Sequence, residues 1–224
     1  NLVLNPSFED TNLNIPCGIN IYYLNFPVVD WQWGNGGTTD LFSMSLSQLC
    51  LMHPLNIGAA NQLPRTGINY VGIYNRFGTD YREYVRGNLS APVLVGYKYI
   101  IEFYVCLGET STVGSNNIGL KFIDSSQSFF AGTTNIPLQP DVNYNVAPII
   151  DKNQWVQISF EFIPTVANLQ SFIIGNFFTD ANTTLQTIST DTETIASYFL
   201  IDDVSIYIDP PLFDIIDEIC QDET

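Results

Sequence analysis

The chain has 224 residues, 46% hydrophobic and only 13% charged, so it can bury a sizeable core and lacks the composition of a disordered segment. A formal net charge of −16, with seven basic residues, disfavours nucleic acid and anionic membrane surfaces as partners and favours solubility and cation binding. No run approaches eighteen uninterrupted apolar residues, so no transmembrane helix and no membrane insertion are expected.

Helical periodicity is nearly absent. Short runs rich in Val, Ile, Tyr and Phe recur instead, separated by Gly, Pro and Asn. The first expected strand is Asn1–Leu4, at the start of a sequence without initiator Met or leader, as in a mature or trimmed product. From Asp10 to Pro64 clear strands are scarce, and the stretch holds DWQWGNGGTTDLFS with Trp31 and Trp33. A loop region this long needs a function or a staple. Cys17 and Cys50, both in loop-like sequence, suit a disulfide in an oxidising compartment, whereas Cys106 in YIIEFYVCL reads as a buried, inert thiol.

Further strands are expected over Asn69–Ile73, Tyr81–Arg86, Tyr97–Leu107, Asn117–Ile123, Trp155–Ile163, Leu169–Phe178 and Tyr198–Ile208. Their spacing describes an all-β antiparallel sandwich or jelly roll rather than βαβ units. In Tyr97–Leu107 the odd positions are all apolar or aromatic, while Lys98, Glu102 and Tyr104 decorate the other face. By the same alternation Val156, Ile158, Phe160 and Phe162 point inward. Glu83 and Glu102 are expected on neighbouring strands, with Arg82 and Arg86 completing an ion-pair network. After Ile208 the sequence DPPLFDIIDEICQDET breaks away, which divides the chain into a jelly-roll domain over 1–208 and an acidic tail or linker over 209–224.

Enzyme signatures are missing. His53 is the only histidine and precedes a proline, and no GxSxG or Cys/His pattern accompanies it. Zinc is excluded by ligand count, and GxxxxGK[ST] and GxGxxG are absent. Calcium is different, because a hard cation takes several oxygens. Alternation puts Asp202 of FLIDDVSIYI on the face of Val204 and Ile206, hence inward, where an unpaired carboxylate needs an ion or an Arg. If the first and last strands are neighbours, Glu9 lies close to it.

The opening NLVLNPSFED and the closing FLIDDVSIYI resemble the two ends of carbohydrate-binding modules of the family 4/9 type, with a galactose-binding-like jelly roll. GTTDLFS, GINYVGIY, YREYVRGNL, NNIGLKF and IIGNFF are similar to the module type found at the N-termini of secreted surface proteins of Bacteroidota. The resemblance implies a structural calcium on Glu9 and Asp202 or Asp203, no catalysis, and a place on the cell surface or outside the cell by type IX secretion. The resemblance does not carry a ligand, but a polysaccharide or cell-surface glycan is the expected partner, and Trp31, Trp33, Tyr84, Glu102 and Tyr104 have residue types suited to stacking on sugar rings and bonding their hydroxyls. A structural or adhesive domain meeting other surface or secretion proteins is the competing expectation.

Overall fold

The computed structural model describes residues 1–12, 26–56, 60–189 and 194–209. Twelve strands appear among them: β1 (Trp31–Trp33), β2 (Asp40–Ser43), β3 (Asn69–Phe77), β4 (Val85–Asn88), β5 (Tyr99–Leu107), β6 (Val113–Ser115), β7 (Ile118–Asp124), β8 (Val142–Tyr144), β9 (Val156–Phe162), β10 (Leu169–Gly175), β11 (Leu185–Thr187) and β12 (Ala196–Ile208). They form two five-stranded sheets, ordered β1-β4-β10-β7-β8 and β2-β3-β12-β5-β9, plus a β6–β11 ribbon. Every pairing between these strands is antiparallel, so the chain is an all-β sandwich of jelly-roll type.

Alternation along the strands explains why they form. Tyr99, Ile101, Phe103, Val105 and Leu107 of β5 are fully buried between the sheets, with Ile158, Phe172, Phe199 and Ile201 from other strands. Val156, Phe160 and Phe162 of β9 pack onto the same core, as the sequence pattern predicts. Two smaller apolar clusters lie on the outer faces. Phe42, Tyr70, Tyr198 and Leu200 meet Met52 and Ala60 over the second sheet, and Tyr84, Ile123 and Ile173 meet Ile136 over the first. Each sheet is thus partly roofed by a loop segment.

The expected first strand is instead a seam. Leu2 N–H donates to the Ile206 carbonyl of one sheet (2.7 Å), while Leu4 N–H donates to Asn88 of the other (3.0 Å). Residues 1–4 therefore tie the sheets together, and only an isolated Val3–Leu89 bridge remains of a ladder. Within the Asp10–Pro64 region the chain does form β1 and β2, three and four residues long, too short to show as hydrophobic runs.

Candidate functional site

A β-bulge decides where the acidic pair goes. Asp202 pairs with Tyr104 and Ser205 with Glu102, so two residues of β12 oppose one of β5, with Asp203 in the left-handed region at φ 51°. The bulge switches the inward parity of the strand. Phe199 and Ile201 face the central core before it, and Val204 and Ile206 face that core after it. Asp202 therefore follows Leu200, not Val204, and lies on the outer side of the sheet. It is still 0% exposed, because residues 65 and 66 cover it.

Those residues answer its charge with donors. Asp202 Oδ2 accepts the amides of Arg65 (2.9 Å) and Thr66 (3.3 Å), and Oδ1 accepts the amide of Asp203 (2.8 Å). Burial, then the neighbouring Asp203 charge, push its carboxyl up to about 8 against these three amides. Asp203 accepts Ser7 Oγ, Thr66 Oγ1 and Arg65 Nη1, each at 2.5 Å. Burial pulls its value up, but these hydrogen bonds and the Arg65 charge outweigh it and hold the value below the usual range. Glu9 Oε1 accepts the amides of Ile68 and Asn69, both at 3.0 Å. Gly67, at φ 61°, makes this approach possible, since a Cβ there would sit 2.2 Å from Glu9 Oε1.

The structure thus brings Glu9, Asp202 and Asp203 to one loop, 65–69, as donor-facing acceptors. Among the described residues no group of three or more His, Cys, Asp or Glu side chains is placed to hold a metal ion. The set does not fit calcium as it stands, and no step is assigned to one.

The expected aromatic platforms are not platforms. Trp31 is 2% exposed in the central core, edge-on to Phe172, with its indole N–H on the Asn5 carbonyl. Alternation puts Trp33 on the same inward face, where it packs on the core and donates to Thr39 O. Tyr84 is fully buried over the first sheet, its hydroxyl donating to Asn176 O and accepting from Ile136 N. Tyr104 is half-buried, and the Arg65 guanidinium lies 3.4 Å from its ring centroid. Glu102 is held by Gln157 Nε2 (2.9 Å), with Ser159 and Tyr207 hydroxyls at 3.4 Å. Glu102 and Glu83 are not neighbours, because β5 belongs to the second sheet and Glu83 to the β3–β4 connection. Arg82 pairs with Asp180 (2.8 Å) instead. Cys50 is disulfide-bonded, Cys17 lies outside the described residues, and Cys106 is a buried free thiol.

Two of the open cavities among the described residues carry clusters of polar and aromatic side chains. The larger, about 600 Å³, runs over the outer face of β1, β4 and β10. With both tryptophans of β1 turned inward, Gln32 between them points out, directly opposite Arg86 of β4. Asn88 follows two residues on and accepts Ser171 Oγ (2.9 Å), while Gln170 and the exposed ring of Phe129 complete the walls. Arg86 Nη1 and Nη2 donate to the Gln127 and Ser125 carbonyls, both at 3.0 Å, which anchors the segment carrying Phe129. Among the described residues Arg86 makes no ion pair, and burial lowers its pKa. Asp30 is the one carboxylate among the described residues of the lining.

The second cavity, about 380 Å³, opens over β2, β3 and β12. Tyr74, Phe77, Tyr81 and Tyr198 surround it, with Tyr74 centred 4.7 Å from Phe77 and 4.8 Å from Tyr198. Asp40 and Glu83 share its floor. Asp40 Oδ2 accepts the Tyr198 hydroxyl (2.7 Å), and burial pushes its carboxyl up to about 6 against that bond. Glu83 accepts the amides of Tyr74 (2.9 Å) and Thr38 (3.2 Å) and the Tyr81 hydroxyl (2.8 Å). Burial first, and the Asp40 charge second, push it to about 8. Sequence reasoning missed this pair. The partners stand 43 positions apart, and the only signal was Glu83 inside an aromatic-rich stretch.

No family model matches the chain, and no curated protein matches it in sequence. Solved structures do resemble it in fold. A family 61 carbohydrate-binding module in complex with β-1,4-galactotriose aligns with TM-score 0.44 and 13% identity over 93% of this chain and 98% of that one. The xylan-binding CBM22-1 domain of Paenibacillus barcinonensis Xyn10C aligns with TM-score 0.46 and 15% identity over 90% of both chains. The K2 cleaved adhesin domain of Lys-gingipain gives TM-score 0.42 and 11% identity over 90% of this chain and 96% of that one. The structures it is similar to thus include carbohydrate-binding modules and an adhesin domain.

Proposed function

We propose that the chain is a non-catalytic carbohydrate-binding module that works outside the cell, with its glycan lying along the groove over β1, β4 and β10. The observation that carries this reading is the lining of that groove. Gln32, Asn88 and Gln170 offer both amide donors and amide acceptors, Arg86 offers donors alone, and Phe129 offers an exposed ring. Sugar hydroxyls need such mixed donors and acceptors, and the apolar face of a pyranose stacks on an aromatic ring. A volume of about 600 Å³ is within the range of small-ligand clefts. Among the described residues the lining holds one carboxylate, Asp30, where glycoside hydrolysis uses an acid pair, which supports binding without turnover. The disulfide-bonded Cys50 supports an oxidising, extracellular setting.

Affinity electrophoresis against soluble β-glucan, xylan, galactan and arabinan tests the reading. Retardation by at least one polymer is expected, with loss in Phe129→Ala and in Gln32→Ala and no release of reducing ends. If none of the polymers retards the protein and a glycan array stays blank, the groove is not a sugar site.

A further inference from the structure

The cavity over β2, β3 and β12 has a composition unlike the groove. No Lys, Arg or His lines it, although Asp40 and Glu83 both do. Of the basic residues close to Glu83 in sequence, Arg76 and Arg82 clamp Asp180 at 2.9 and 2.8 Å, and Arg86 donates to the Gln127 and Ser125 carbonyls, both at 3.0 Å. Neither Asp40 nor Glu83 makes an ion pair. Among the described residues the Tyr198 hydroxyl is the only donor to the Asp40 side chain, which leaves Oδ1 without one. Glu83 is 2% exposed and held by four donors, the Thr38 and Tyr74 amides and the Thr38 and Tyr81 hydroxyls.

Around these acids stand aromatic faces. Tyr81 lies 5.9 Å from Phe77 and 6.2 Å from Tyr74, both near-perpendicular, so the rings form a corner rather than a stack. A ring presents negative potential from its face, and a cation near several faces gains from each. Two desolvated carboxyls without a counter-ion add to that field, and the −16 charge of the chain raises the local cation concentration further. A hard metal cation wants six or more oxygens and finds few here. An alkylammonium group is the cation that takes aromatic walls and carboxylate oxygens together.

We propose that this cavity is a second binding site, independent of the glycan groove, for a ligand bearing an ammonium group. In it the ammonium sits between the Tyr74, Phe77 and Tyr81 rings and donates to Asp40 Oδ1 where it carries protons. Among the described residues the charged groups facing the site are Asp40 from β2 and Glu83 from the β3–β4 connection. The residues from β3, β12 and the segments 51–52 and 110 are uncharged. Ionisation of Asp40 and Glu83 therefore strengthens binding as pH rises.

Isothermal titration of the whole chain tests this with tetramethylammonium, a fully deacetylated glucosamine trisaccharide and its N-acetylated counterpart. Tetramethylammonium keeps its charge at every pH and isolates the response of the protein. Both cationic probes are expected to bind at about pH 6.5, where the glucosamine amines still carry protons; tetramethylammonium is expected to bind several-fold more tightly at about pH 8 than at about pH 5.5, and the N-acetylated sugar is not expected to bind here. Binding by tetramethylammonium but not the glucosamine sugar would assign the site to alkylammonium ligands other than sugars. Asp40→Asn is expected to weaken the cationic probes at least tenfold. Should that variant fail to fold, Phe77→Leu, which removes a ring from the rim, is expected to weaken them severalfold. Failure of both cationic probes to bind, or equal affinity for the N-acetylated sugar, overturns the proposal. Phe129→Ala leaves these affinities unchanged, so failure here is separable from failure of the glycan groove.

Discussion

Replacing Glu83 by Gln separates the charge of this residue from its hydrogen bonds. A carboxyl whose folded value lies above its unfolded value holds its proton more tightly in the native state. Its contribution is therefore complete below about pH 4.5 and is lost as pH rises through about 8. The difference between 4.5 and about 8 corresponds to roughly 5 kcal/mol at about 1.4 kcal/mol per unit. Because the Asp40 charge supplies part of that rise, the two acids titrate as a pair and the figure is an upper bound. Gln removes the slope but cannot accept everything Glu83 accepts. Turned either way, its NH2 faces a donor, at best the Tyr74 amide alone, at a cost of about 1–3 kcal/mol. Urea denaturation followed by tryptophan fluorescence, from about pH 5 to about pH 8.5, is expected to give crossing curves. The wild type is more stable at the acid end, and the variant declines by about 1.4 kcal/mol less per pH unit wherever one proton differs. Parallel curves would refute the assignment of the slope to Glu83.

Stripping divalent cations with a chelator is expected to leave the melting temperature unmoved, since Arg65 and the 65–69 amides already occupy the acids; a fall of several degrees would show that a cation takes their place. Arg65→Met is expected to cost about 1–2 kcal/mol in a denaturant titration, kept small because the Arg65 side chain is one-third exposed. Trp31→Phe is expected to lower stability while leaving glycan retardation intact, since the indole belongs to the core and only its neighbour Gln32 lines the groove. Cys106, pushed up to about 12 chiefly by burial, is expected to resist thiol reagents in native protein and to react once denatured.

The long strands were legible because their alternation is strong. Tyr99 to Leu107 and Val156 to Phe162 declare their inward faces by residue type, and both faces are found as read. Tyr97 is the exception at the margin, half exposed just before β5 begins. Short strands such as Trp31–Trp33 and Asp40–Ser43 carry too few residues for a period to show. Trp31 and Tyr84 were misread for a different reason. Large aromatics suit both a sugar platform and a core plug, and only the fold says which. The groove left a faint trace, since Trp-Gln-Trp on a strand must put Gln32 opposite its neighbours. The Asp40–Glu83 pairing left only Glu83 in an aromatic-rich stretch, because it depends on β2 and the β3–β4 connection meeting in space.

The bulge at Asp202–Val204 has a consequence for how this strand tolerates change. β12 is written in two phases, with odd residues inward up to Ile201 and even residues inward from Val204, and the bulge is the splice between them. Deleting Asp203 would remove one acid, but it would also force a single phase on the strand and turn either Phe199 and Ile201 or Val204 and Ile206 towards water. The two adjacent carboxylates thus mark a frame shift in the hydrophobic pattern, and substitutions there are far safer than length changes.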